Sequence, residues 1–235
     1  MAEFDEYCPT YEDDINRAIA MCGKPRSFYT KVKAQLLGEL LDDHFPGRTS
    51  IDVLDFGCGS GDIHAYLQSS HPTLNLTGID VSEEFLKIGR ARGAGVTYDK
   101  YNGERLPYPE ASFDLVFTIC VLHHVPAAQR LGFLAEMRRV ARPGGLVVVI
   151  EHNPLNPLTV RVVRKLPCDR NAVLLSAGEL ASLMQRAGVA RPRCEFIVFN
   201  PFESAFFRRL DRLMKHVPFG AQYLCFGHVA ERVAQ

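Results

Sequence analysis

The strongest constraint on this chain is the segment Val53-Leu54-Asp55-Phe56-Gly57-Cys58-Gly59-Ser60-Gly61-Asp62. An apolar run that reads as a buried strand enters three glycines at alternate positions, and a helical pattern follows. Glycine lets backbone turn through positive φ and approach a ligand closely. The helix that follows presents unpaired N–H groups at its start. At the end of the next apolar run stands Gly78-Ile79-Asp80, with Asp80 placed 19 residues after Gly61. A carboxylate there can accept hydrogen bonds from two adjacent ribose hydroxyls. It can also cap the helix starting at Ser82 or Glu83, a job Ser82 can do itself.

The rest of the chain has the rhythm of a parallel α/β sheet. Strands are predicted at Ile51–Phe56, Leu74–Ile79, Val96–Tyr98, Phe113–Ile119 and Leu146–Ile150, with helices over 61–70, 83–92 and 127–141. Pro143-Gly144-Gly145 reads as a sharp turn into the fifth strand. Ser176-Ala177-Gly178-Glu179 reads as a capping box opening a helix that Gly188 closes. Later strands are predicted at Cys194–Phe199 and Gln222–Val229, with a helical stretch over 202–216 between them. Ahead of the first strand, 26–45 reads as a helix with Leu36, Leu37, Leu40 and Leu41 on its inner face, and 1–22 as further helix. The expectation is one domain: a helical cap over 1–48, a cofactor-binding core over 49–152, and a lid with terminal strands over 153–235.

Charge and cysteine usage narrow the function classes. Lys plus Arg and Asp plus Glu each number 27, which argues against nucleic acid as a partner. The start of the chain is acidic and has no apolar run, and no stretch is long enough to span a membrane, so the expected location is cytoplasmic. The seven cysteines form no C-x-x-C pair, so neither a metal site nor a disulfide framework is indicated. A dinucleotide fingerprint G-x-G-x-x-G fails in both registers, since Asp62 or His64 stands where the last glycine should be. Asp62 would repel a pyrophosphate and suits a ligand with a cationic end.

LDFGCGSGD resembles the first motif of class I methyltransferases dependent on S-adenosylmethionine (SAM), and LTGIDVS resembles the second. YNGERLPYPEASFDLVFTICVLHHV and RVARPGGLVVVIEH resemble the segments leading through the fourth and fifth strands, in family order. FDEYCPTYEDD and HNPLNPLT are similar to the ubiquinone-methyltransferase-like branch that acts on small molecules, though Cys8 and Glu12 depart from its opening pattern. The resemblance implies a Rossmann-like, seven-stranded, mostly parallel sheet with helices on both faces, N-terminal helices and a helical lid.

The resemblance also implies roles. Gly57, Cys58 and Gly59 would lie against the methionine part of SAM, and Asp55 would accept from the loop or from the ammonium. Asp80 would hold the ribose. Asn102 and Gly103 would meet the adenine, with Val81 beside it, and Ile119 would close the end of the fourth strand. Tyr29, with Tyr7 and Tyr11, could face the sulfonium. Lys33, or Lys31, could meet the SAM carboxylate.

For catalysis, His123, His124 and Glu151 are the candidate bases. Two adjacent imidazoles on one helical turn point different ways, so one of them is expected in the site. Methyl transfer is an in-line displacement that needs alignment more than acid–base chemistry. The expected partner is a small-molecule acceptor, apolar with an anionic group. Phe202, Phe206, Phe207, Leu210 and Leu213 would wall it, and Arg161, Arg164, Lys165, Arg208, Arg209, Arg212 and Lys215 would carry the opposite charge. Two alternatives are a dinucleotide-dependent oxidoreductase and a SAM-binding partner subunit without chemistry of its own. Calorimetry should find binding of SAM and S-adenosylhomocysteine and none of NAD; micromolar NAD binding without SAM binding would reverse the assignment.

Overall fold

The computed structural model describes residues 3–93, 95–202 and 204–231, without the side chains of Glu3, Ala205 and Arg208. After a 3-10 turn at Glu3–Glu6 come α1 (Tyr11–Ile19) and α2 (Arg26–His44), then β1 (Ile51–Phe56), α3 (His64–Ser70), β2 (Leu74–Asp80), α4 (Glu83–Ala91) and β3 (Thr97–Lys100). The chain continues through β4 (Phe113–Ile119), α5 (Arg130–Val140), β5 (Ala141–His152), α6 (Pro157–Val163), α7 (Ala177–Arg186), β6 (Val189–Ile197), α8 (Ala205–Met214) and β7 (Gln222–Val229). The sheet order is β3-β2-β1-β4-β5-β7-β6. The first five strands pair in parallel, and β7 runs antiparallel to both β5 and β6.

Alternation along the strands divides the core in two, because successive side chains point to opposite faces. Leu54, Val116, Val147 and Val149 pack under α5 and α7 against Leu134, Met137, Leu180 and Met184. Val53, Leu115, Phe117, Val148 and Ile150 pack under α2 and α3 against Leu37, Leu41 and Leu67. Helices therefore cover both faces, as parallel strands require. The expected inner face of α2 holds for Leu37, Leu40 and Leu41, which are buried, while Leu36 is only half-buried. A third, smaller cluster joins Ile15, Ala18 and Ile19 of the N-terminal helix to Val162 and Leu166 beyond β5. This cluster roofs the carboxyl ends of the strands. Among the described residues no helix is long and apolar enough to cross a membrane.

Several local expectations are corrected. The helix expected from residue 61 begins at His64, because Gly61 takes a left-handed φ of 67° that no helix contains. Pro143-Gly144-Gly145 does not precede β5; it lies inside that strand as an irregularity where pairing with β4 shifts between Phe113 and Leu115. Cys194 and Cys225 occupy directly paired positions of β6 and β7 and are joined by a disulfide. Their sequence separation of 31 carried no signal, since only strand register brings them together.

The capping box of α7 is present: the Ser176 hydroxyl accepts from Glu179 N, and the Glu179 carboxylate accepts from Ser176 N at 2.8 Å. Ser176→Ala removes the hydroxyl half of the reciprocal pair and should cost about 1 kcal/mol in a urea unfolding measurement. An unchanged midpoint would mean that tertiary contacts alone hold the start of α7.

Candidate functional site

β1 has β2 on one side and β4 on the other, so the chain leaves its carboxyl end in opposite directions and opens a crevice there. A single cavity of about 960 Å³ fills that crevice, at the upper end of the small-molecule range. Its floor is the glycine loop. Gly57 has φ 81°, and a Cβ there would stand 2.6 Å from a Val121 methyl, so the loop is bare because it must be. Gly57 N and Cys58 N both donate to Ile79 O, which ties the loop to the end of β2.

Asp80 sits where the strand ends and lines the cavity. Gly59 N donates to its Oδ2 and Ser82 N to its Oδ1, both at 2.8 Å. Burial pushes its carboxyl up, and those two N–H groups pull it back down. Ser82 caps α4 itself by accepting from Phe85 N, which leaves Asp80 free of that duty.

Asp55 is buried at the end of β1, and its Oδ2 lies 3.0 Å from His64 Nε2. The other ring nitrogen of His64 meets the Tyr98 hydroxyl at 2.9 Å. An ionised Asp55 accepts from Nε2, and Nδ1 then accepts from the phenol. Sequence reasoning missed this buried relay, which braces the loop from beneath. Asp62 was expected to face the cationic end of a ligand, but Arg26 and Arg92 both pair with it and hold its carboxyl below the usual range. It belongs to the wall, with its charge already balanced.

Lys33 lines the same end of the cavity, and its ammonium has no hydrogen bond or ion pair among the described residues. Burial pushes its pKa down. Tyr29, Gly57, Cys58, Gly59, Val81, Gly103 and Ile119 also line the cavity, as does Tyr11. Asn102, Lys31 and Tyr7 do not. Asn102 is exposed, and its Oδ1 accepts from Glu104 N at 3.1 Å, so its side chain closes its own turn.

At the opposite end, β4 is followed at once by a non-glycine residue with left-handed backbone, Cys120 (φ 55°), a strain that positions the loop beyond it. Both His123 and His124 line the cavity, contrary to the expectation of one, because 121–125 is a series of tight turns and not a helical turn. Glu151 does not line the cavity. Its Oε1 accepts from Leu122 N at 2.7 Å and from His123 N, and its Oε2 stands 2.6 Å from His123 Nδ1. The expected base is thus a buried clamp. Asp169, from the segment after α6, approaches the two imidazoles from the roof, 3.3 Å from His124 Nε2 and 3.7 Å from His123 Nε2. The Glu151 and Asp169 carboxylates push the His123 pKa well up against the burial that would lower it. Burial drives His152, at the end of β5, down to about 4. No motif announced Asp169, which reaches the site only through the packing of α6.

The residues expected to wall an acceptor do not line the cavity. Phe206 is 70% exposed and Leu213 75%, and α8 turns these side chains to solvent. The exposed Arg161, Arg164 and Lys165 lie outside the cavity lining, as do Arg209, Arg212 and Lys215; the Arg208 side chain lies outside the described residues. Ile15, Ile19, Leu158, Val162 and Leu166 are apolar residues that do line the cavity.

Residues 54–149 match the family described as a methyltransferase domain. A demethylmenaquinone methyltransferase of Deinococcus radiodurans is 32% identical over 155 residues, covering 64% of this chain and 59% of its own length. The ubiquinone/menaquinone biosynthesis C-methyltransferase UbiE of Burkholderia vietnamiensis is 38% identical over 112 residues, 44% of each chain. The chain therefore spans about half the length of these curated relatives. A SAM-dependent methyltransferase from Thermotoga maritima shares the fold at a TM-score of 0.66 and 20% identity, over 96% of this chain and 98% of that one.

Residues 54–149 thus match a methyltransferase domain in sequence, and the chain has the fold of a SAM-dependent methyltransferase. Its sequence relatives include methyltransferases of quinone biosynthesis.

Asp80→Ala should lower affinity for S-adenosylhomocysteine at least tenfold, because hydrogen bonds to a charged acceptor contribute about 1.5–3 kcal/mol each. Gly57→Ala should do the same by closing the loop against Val121. Calorimetry with both variants checks this, and wild-type affinity in either would place the cofactor elsewhere.

Proposed function

We propose that this chain transfers the methyl group of SAM to a small, largely apolar acceptor held in the same cavity. The observation that carries the reading is the continuity of that cavity. It is lined by Gly57, Gly59 and Asp80 and, in the same space, by His123, His124 and Asp169 with the apolar Ile15, Leu158 and Val162. The first end fits the cofactor: a bare backbone floor, a carboxylate for the ribose at Asp80, and an unpartnered cation at Lys33 for a carboxylate. When bound, SAM supplies a methyl already activated on sulfur. The chain's own residues then have three tasks.

The N-terminal helix and the segment through Leu166 exclude water from the acceptor. The apolar wall orients the acceptor by shape. His124, half-buried and facing the cavity, takes the acceptor proton, while Glu151 acts as a positioning residue by fixing His123 and the loop that carries both histidines. In this reading 1–48 forms a cap, 49–152 the cofactor core, and 153–235 the remaining roof and closing strands. The roof comes from α1 and the 157–169 segment, with α8 outside it.

Incubating the purified chain with methyl-labelled SAM and a small-molecule extract should place the label in an apolar organic compound. Recovery of the label only in protein or RNA, or no transfer to any fraction, would contradict the proposal.

A further inference from the structure

The acceptor compartment holds a constellation that methyl transfer alone does not explain. His123 comes from the loop after β4, His152 from the last position of β5, and Asp169 from the segment after α6. One donor atom of each lies within 4.8 Å of the other two, and all three residues line the cavity. The surroundings are those of a ligand set. Glu151 Oε2, 2.6 Å from His123 Nδ1, accepts the N–H of that nitrogen and leaves Nε2 facing Asp169. A carboxylate behind an imidazole is the usual device for fixing a metal-binding tautomer. His124 Nε2, 3.3 Å from Asp169 Oδ1, orients that carboxylate in the same way.

Gln222 gives a second, independent sign. Its Nε2 donates to Cys120 Sγ at 3.2 Å and lies 3.4 Å from His152 Nδ1, and its buried Oε1 has no hydrogen-bond partner. Half a turn of the amide sets that oxygen on an Nδ1–H and leaves Nε2 of His152 free to bind. The simpler account is a buried ion cluster, with His123 charged between Glu151 and Asp169. It explains those three residues but gives neither His152 nor the unpartnered Gln222 oxygen a role.

We propose that His123, His152 and Asp169 form a divalent-metal site open to the acceptor compartment, and that the acceptor carries a hydroxyl beside a second oxygen donor. Two imidazoles with one carboxylate suit first-row transition ions such as zinc, iron(II) or cobalt(II), and suit magnesium or calcium poorly, since those ions favour oxygen alone. An ion there would draw charge from an acceptor oxygen and let a hydroxyl ionise near neutral pH, its proton passing to His124. The new oxygen–methyl bond would form as the sulfur–methyl bond breaks, with the electron pair returning to sulfur. The acceptor class rests on the methyltransferase reading; the metal site does not.

The test is a cobalt(II) titration of the full chain after chelator treatment, followed by visible absorption, with magnesium as the control ion. The expected result is one cobalt per chain with a coordination spectrum. His152→Ala and Asp169→Asn should each weaken it at least tenfold, a loss of the size seen even for outer-shell changes around metals. Calorimetry with S-adenosylhomocysteine on the same samples reports whether each variant is folded, and separates the two readings: cobalt binding without cofactor binding would refute the methyltransferase reading and leave the metal site standing. Absence of a stoichiometric site, or wild-type cobalt affinity in both variants, would overturn the proposal. Catechol, and not phenol, should shift the cobalt spectrum; an equal response to both would overturn the acceptor class.

Discussion

The arrangement of the site depends on one buried carboxylate, Glu151. It stands near the end of β5, the strand next to β4, and reaches across to the loop where β4 has ended. By accepting from Leu122 N, His123 N and His123 Nδ1 together, it fixes the backbone of that loop and the plane of the His123 ring at once. The His123 partner matters for burial, because an isolated carboxylate so deep would be costly and would take up a proton. The imidazole holds the Glu151 carboxyl below its ordinary value against that burial. From this clamp follow the placement of His124 on the cavity wall and the approach of Asp169 from the roof.

The cofactor half and the acceptor half are built by different means. The cofactor half is backbone geometry: a glycine loop tied to the end of β2 by hydrogen bonds to Ile79 O and braced beneath by Asp55, His64 and Tyr98. Its residues are close in sequence and their spacing is dictated by strand, turn and helix. The acceptor half is tertiary packing. Ala18 of α1, Val162 of α6 and Leu166 beyond it meet in a small apolar cluster that exists only because both segments fold back over the strand ends. Such a roof is small beside the two main cores, which in the proposed reading suits a part that admits an acceptor.

This difference explains what could be read from the sequence. β1, β4 and β7 appear at the residues predicted, and so does the capping box at Ser176, because each follows from local periodicity or local hydrogen bonding. Gly57, Gly59, Asp80 and Lys33 line the cavity. Asn102 failed because its side chain had a nearer partner in Glu104 N, a competition that spacing does not reveal. Asp62 failed because two arginines, 36 and 30 residues away in either direction, had already balanced it. Phe206 and Leu213 share the periodicity of a buried face and yet stand in solvent, since amphipathic pattern fixes a face and not what covers it. Asp169 and the Cys194–Cys225 pair depend on long-range register and carried no local signal.

The central claim is that one cavity seats the cofactor at the glycine loop and the acceptor beneath the α1–α6 roof. A crystal structure of the chain with S-adenosylhomocysteine tests it most directly. The account predicts ribose hydroxyls on Asp80, the amino-acid end near Lys33, and the sulfur turned to the compartment bounded by His123, His124 and Asp169. A sulfur facing solvent, or a ligand bound away from Gly57 and Asp80, would contradict it.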